Sequence, residues 1–158
     1  MADLPPFLRA LLVTDGTVTK ILEAYFWEPV EVRTLEQDFR IAERPVDWIQ
    51  VSAGDRVLIR QARLIGGDSG RTYAEAFSVI RADLIPEAFR QRLIDREIGI
   101  GVLIRDSGLE SYREVMEIGV EQAEDGGERI FRTYRIIIEG EPVILITEGF
   151  PLALYGKT

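Results

Sequence analysis

The sequence predicts an α+β fold: an antiparallel sheet of about six strands covered by a few helices, in a single domain spanning residues 1–158. Three observations predict it. Six stretches are rich in Val, Ile, Thr and aromatic residues, and the second and third, like the last three, are joined by short glycine-bearing connections, as in hairpins. Near the N-terminus, and again after residue 84, apolar residues recur at helical rather than strand spacing. The chain is 46% hydrophobic and 29% charged, with no apolar run near the roughly 20 residues of a bilayer span.

Taken in order, residues 6–12 read as a short helix, with Pro5 and Pro6 suited to a first turn that has no N–H partner to lose. Thr14-Asp15-Gly16 interrupts it as a turn. Val18, Ile21, Leu22, Tyr25 and Phe26 then repeat at helical spacing, with Thr17 as a candidate N-cap and Pro29 as the stop. Residues 30–41 alternate as a strand and end in a loop at Pro45. Residues 56–65 and 71–80 flank Gly66-Gly67-Asp68-Ser69-Gly70, a hairpin loop. Residues 84–94 read as a helix with Pro86 in its first turn and Phe89, Leu93 and Ile94 as its buried stripe. Residues 98–104, with Gly99 and Gly101 among apolar residues, suggest either close backbone approach to a ligand or a buried bend. The last three strands, 112–122, 129–139 and 142–150, are joined by tight turns, which predicts an antiparallel meander.

Composition narrows the chemistry. With no cysteine, disulfides, thiolate nucleophiles and iron–sulfur clusters are excluded; with no histidine, so are the Ser-His-Asp triad and the commonest zinc ligand. Catalysis has to rely on carboxylates, arginines, tyrosines, hydroxyls or backbone amides. A net charge of −8 argues against nucleic acid as a partner but not against a small anion held by local arginines. The N-terminus lacks the pattern of a secretory signal, and the expected location is cytoplasmic.

Two charges stand out. Side chains alternate along a strand, so Leu58, Arg60, Ala62 and Leu64 share one face, and Glu148 shares its face with Ile144 and Ile146. An unpaired ion in such a place costs several kcal/mol, so each needs a partner or a ligand. The residues allow two readings: the buried cation and buried anion pair with each other structurally, or they bind a ligand.

In order and spacing, several segments resemble the chorismate lyase (chorismate–pyruvate lyase) family, especially its short archaeal and cyanobacterial-type branch. They are Leu11-Leu12-Val13-Thr14-Asp15-Gly16-Thr17-Val18-Thr19, Leu58-Ile59-Arg60, Ile98-Gly99-Ile100-Gly101 and Arg132-Thr133-Tyr134-Arg135. The series ends with Gly140-Glu141-Pro142 followed by Ile146-Thr147-Glu148-Gly149-Phe150-Pro151, its most distinctive part. The resemblance implies conversion of chorismate to 4-hydroxybenzoate and pyruvate without metal or cofactor. It also implies roles. Arg60 falls at the family's carboxylate-binding arginine and Glu148 at its active-site glutamate, near the hydroxyl end of the ring. Ile100, beside Gly101, falls where a backbone amide meets the ring carboxylate, and Val18 matches an apolar residue near the hydroxyl end. Arg135 matches a further family arginine and is suggested for the enolpyruvyl carboxylate, with a surface or cross-strand role as the alternative. The ligand would lie between the sheet and the N-terminal helical flap, with Thr14 to Val18 and Ile98 to Gly101 as its walls.

Plainer readings stand beside these. Tyr112, Tyr134 and Tyr155 fit core or rim aromatics, Arg63 and Lys20 fit solvated positions, and Asp15 fits a turn. Two rival functions remain: a non-catalytic sensor of aromatic carboxylates with the same fold, and a related lyase of different regiochemistry. A homo-oligomer is left open.

Overall fold

In a computed structural model describing residues 3–14, 18–95 and 100–155, six strands form one antiparallel sheet. They are β1 (Val30–Ile41), β2 (Arg56–Gly66), β3 (Thr72–Ile80), β4 (Ser111–Gln122), β5 (Glu128–Ile138) and β6 (Glu141–Pro151), paired in the order β1-β2-β3-β6-β5-β4. The last three strands do form a meander, but β6 rather than β4 pairs with β3. The reason lies in side-chain character. Strand β4 carries Arg113, Glu114, Glu117 and Glu121 and tolerates an edge, whereas β6, with Val143, Ile144, Ile146 and Phe150 buried, needs neighbours on both sides. The connection from β3 to β4 contains helices, which carry the chain to the far edge.

Four helices, α1 (Pro6–Val13), α2 (Val18–Phe26), α3 (Glu87–Asp95) and α4 (Ile100–Ser107), cover one face in two pairs. Leu8, Leu11, Leu12 and Leu22 of α1 and α2 pack over Ala74, Ile130 and Phe150 at one end. Phe89, Ile100 and Ile104 of α3 and α4 pack over Leu58, Ile80, Ile136 and Ile144 at the other. Burying each such side chain contributes about 1.5–3 kcal/mol, enough to hold short helices that would not persist alone. On the opposite face, Ile49 and Val51, around a 3-10 turn at Asp47–Ile49, pack with Val57 and Val79.

The bend considered for residues 98–104 is, from Ile100 onward, the helix α4. Ile100 and Ile104 lie four residues apart and are both buried, and this shared face outweighs the roughly 1 kcal/mol that Gly101 costs inside a helix. Residues 96–99 lie outside the described residues. So do Asp15, Gly16 and Thr17, on which the expected turn and N-cap fall, and the side chains of Leu93 and Ile94. The helix expected over 84–94 begins at Glu87, after a 3-10 turn at Ala82–Leu84.

Candidate active site

Between the two helix pairs, the covered face is polar and thinly filled. One row across the sheet reads Arg60, Ser78, Ile146 and Tyr134, from β2, β3, β6 and β5. The next row on the same face, two residues along each strand, reads Ala62, Ala76, Glu148 and Arg132. The small side chains Ala62, Ala76 and Ser78 of β2 and β3 make a low floor between the helix pairs. Above it lies about 680 Å³ of empty space, part of it open to solvent. Its walls include Val18 and Thr19 of α2, Ile100 of α4, and Arg60, Arg113, Tyr134 and Glu148 from the sheet. Both edge strands carry a β-bulge near these rows, at Leu35 in β1 and Met116 in β4. Such bulges re-aim neighbouring side chains.

Arg60 is 3% exposed, and its Nη2 donates to Thr34 Oγ1 at 3.3 Å. Glu148 is 8% exposed and is held by two donors. Arg132 Nε reaches Oε2 at 2.9 Å, and the Tyr134 hydroxyl reaches Oε1 at 2.7 Å. Arg132, 1% exposed, also donates through Nη1 to the carbonyls of Leu12 at 3.2 Å and Thr14 at 2.8 Å. The guanidinium thereby ties the C-terminal end of α1 to the buried carboxylate. Glu148 is therefore ion-paired, but with Arg132 rather than Arg60. Two strand spacings, about 10 Å, separate the strands carrying Arg60 and Glu148.

Tyr134 is buried beneath two guanidinium groups, with the Cζ of Arg132 at 4.7 Å and of Arg113 at 5.7 Å from its ring centroid. Burial, followed by the adjacent Glu148 carboxylate, pushes its hydroxyl well above the ordinary tyrosine range, while Arg113 and Arg132 pull in the other direction. The hydroxyl thus stays protonated and remains a donor to Glu148.

Of the six residues singled out in the sequence, Arg60, Glu148, Val18 and Ile100 line this cavity together. Gly101 follows Ile100 in α4. Arg135 is not brought to the cavity. It donates from Nε at 3.1 Å and Nη2 at 3.0 Å to Glu114 Oε2, and from Nη1 at 2.9 Å to the carbonyl of Trp48. Alternation explains this: Tyr134 faces the helices, so its neighbour faces away. The same rule, applied to Ile130, Arg132, Tyr134 and Ile136, would have placed Arg132 and Tyr134 inward. Arg113 carried no such signal, because the bulge at Met116 breaks the alternation beside it.

Chains of known structure share this architecture. PhnF from Mycobacterium smegmatis superposes with a TM-score of 0.69 at 11% identity, over 92% of this chain and 68% of that one. The gene product SA0254 from Staphylococcus aureus gives 0.65 at 10% identity, over 92% and 94%. At such identities the likeness is one of fold. Sequence relatives are nearer. The chorismate pyruvate-lyase of Mycobacterium leprae is 29% identical over 96% of this chain and 77% of its own. That of Mycobacterium tuberculosis is 27% identical over 90% and 78%, and the Methanocaldococcus jannaschii protein MJ0807 is 30% identical over 94% and 79%. The family described as chorismate pyruvate-lyase Rv2949c-like matches residues 12–156, nearly the whole sequence, and the chain belongs to it.

Proposed function

We propose that the protein is a chorismate lyase that eliminates pyruvate from chorismate to give 4-hydroxybenzoate. The observation that carries this reading is the placement of a buried guanidinium, Arg60, and a buried carboxylate, Glu148, at separate points of one cavity with an uncharged floor between them. A ring bearing a carboxylate at one end and a hydroxyl at the other matches that spacing. The names of the sequence relatives point to the same substrate.

In the reaction the ether bond at ring carbon 3 breaks and the hydrogen at carbon 4 departs. The ring becomes aromatic and the enolpyruvyl fragment, once protonated, tautomerises to pyruvate. The elimination is redox-neutral, and aromatisation drives it, so the protein has to orient the ring and move a proton. Arg60 presents a planar fork to the ring carboxylate, which suits bidentate recognition. Ile100 lines the cavity from α4, and its backbone N–H is the second donor in this reading. Glu148, ion-paired to Arg132, acts as an acceptor: it takes the carbon 4 proton, and the Tyr134 hydroxyl fixes its second oxygen.

Incubation of the purified protein with chorismate, following both products, tests the reading. Equal amounts of 4-hydroxybenzoate and pyruvate are expected. Glu148→Gln and Arg60→Ala should each lower the rate by about 10²-fold or more with melting still cooperative. Unchanged turnover in both variants would overturn it. A second reading, binding without turnover, draws on the solved regulators of this fold, such as a GntR-family transcriptional regulator from Enterococcus faecalis with TM-score 0.59. Intact chorismate together with tight 4-hydroxybenzoate binding would select it.

A further inference from the structure

We infer that Tyr134 is a second catalytic residue: its hydroxyl protonates the ether oxygen of the departing enolpyruvyl group while Glu148 takes the hydrogen from carbon 4. This rests on the reading of the cavity as a chorismate site, and it supplies the proton which that reading requires for the leaving fragment.

The first support is the contact between the two groups. The Tyr134 hydroxyl lies 2.7 Å from Glu148 Oε1, and both side chains belong to the cavity wall. They come from adjacent strands: Tyr134 on β5 is paired with Ile146 on β6, two residues from Glu148 on the same face. An acid and a base in contact on one wall serve neighbouring substrate atoms on one face of a ring. Chorismate offers such a pair. Its carbon 4 hydroxyl and carbon 3 ether lie on opposite faces, so the carbon 4 hydrogen shares a face with the ether oxygen.

The second support is the chemistry of the other walls. Besides Glu148, the described side chains lining the cavity that carry an O–H or N–H are Thr19, Ser78, Arg60, Arg113 and Tyr134. In water a phenol ionises at about 10, whereas a guanidinium keeps its proton beyond about 12 and alcohols are weaker acids still. Of these groups, the phenol is the one able to part with a proton.

The third support is the charge around the phenol. Burial, and then the Glu148 carboxylate, hold the proton on the hydroxyl oxygen, while Arg113 and Arg132 over the ring act in the opposite direction. Once Glu148 has taken the carbon 4 proton, its negative charge is gone and both guanidinium groups remain. The phenol thereby becomes a stronger acid at the step that needs one.

The step balances without a co-reactant. The carbon 4 hydrogen leaves as a proton to Glu148, and its electron pair forms the new ring double bond between carbons 4 and 3. The bond from carbon 3 to oxygen breaks with its pair on oxygen, which takes the Tyr134 proton and leaves as the enol of pyruvate. Glu148 then returns its proton to the phenolate along the existing hydrogen bond, and the resting pair is restored.

Single-turnover measurements with chorismate on the unmutated protein, Tyr134→Phe and Tyr134→3-fluorotyrosine test the assignment. Loss of a general acid should slow the chemical step of Tyr134→Phe by about 10²-fold or more, with 4-hydroxybenzoate affinity changed less than about threefold. The fluorinated phenol is more acidic, and as a proton donor it should speed the step, by about threefold. If the hydroxyl only orients Glu148, the same substitution strengthens the hydrogen bond to the carboxylate, weakens it as a base and slows the step or leaves it unchanged. That result would overturn the inference, as would a Phe variant within about threefold of the unmutated rate. The fluorotyrosine variant keeps the hydroxyl in place and decides the matter if the Phe variant does not melt cooperatively. Chorismate left intact by the unmutated protein would overturn the lyase reading and this step with it, whereas turnover that ignores Tyr134 would remove the step alone.

Discussion

Glu28 and Glu148 are both withdrawn from water, and they are held in different ways. Glu28, whose side chain is 7% exposed, sits beside the β2–β3 hairpin loop. Its Oε1 accepts from the backbone N–H of Asp68 and of Ser69 and from the Ser69 hydroxyl, and its Oε2 accepts from the Tyr73 hydroxyl at 2.6 Å. A Cβ on Gly66 would stand 2.2 Å from Glu28 Oε1, so the loop glycine makes room for the carboxylate. Glu148 has one guanidinium and one phenol, and it borders an open cavity. The contrast separates two uses of a buried charge. A carboxylate surrounded by donors from a single hairpin fastens that hairpin. One held from behind by an ion pair can still meet a ligand in front.

The sharpest break of this contrast is Arg132→Leu. It removes the only guanidinium contacting Glu148 among the described residues and frees the end of α1. Truncating one member of a buried pair costs about 3–5 kcal/mol, and the urea midpoint should fall accordingly. A change below about 1 kcal/mol would mean that water already screens the pair.

Glu28 tests the other side. Its hydrogen bonds, chiefly from Tyr73 and then the Ser69 backbone, lower its pKa from the ordinary 4.5 to about 2. A folded pKa below the ordinary one gives stabilisation that is complete above the ordinary value and lost as pH falls toward 2. Glu28→Gln should therefore lower stability at neutral pH and flatten its decline between roughly pH 5 and pH 2. An unaltered acid limb in melting experiments would show that other carboxylates govern it.

Much of this was legible in the chain. All six strands form where period-two alternation and turn residues place them, because each strand buries one face and a slip by one residue would expose it. Arg60 and Glu148 were legible for the same reason. What the sequence concealed depends on pairing between distant strands. That Glu148 meets Arg132, and that β6 lies between β3 and β5, follow from sheet order, which helices α3 and α4 decide by carrying the chain across. Arg113 was hidden by a bulge, and α4 by two glycines in a segment whose Ile100 and Ile104 spacing was nonetheless helical.

A smaller change sharpens the picture of Glu148. Tyr134→Phe deletes one hydrogen bond to Oε1 and leaves the ring beneath its two guanidinium groups. The stability loss should be about 1 kcal/mol, by the usual net value of such a bond. Turnover should fall more than stability implies if the hydroxyl orients the carboxylate. A proportionate loss of the two would make Tyr134 a packing residue.

The smallest effect is expected on the face turned away from the cavity. Arg135 and Glu114 form an ion pair across β5 and β4, with side chains 26% and 45% exposed. Solvent screens such a pair, and surface pairs contribute about 0.2–1 kcal/mol. Arg135 also caps the carbonyl of Trp48, so Arg135→Ala should cost up to about 1 kcal/mol and leave chorismate turnover and affinity unchanged. A selective loss of chorismate affinity in Arg135→Ala would place the enolpyruvyl carboxylate on β5, and would require that strand to turn its other face to the cavity when the ligand binds.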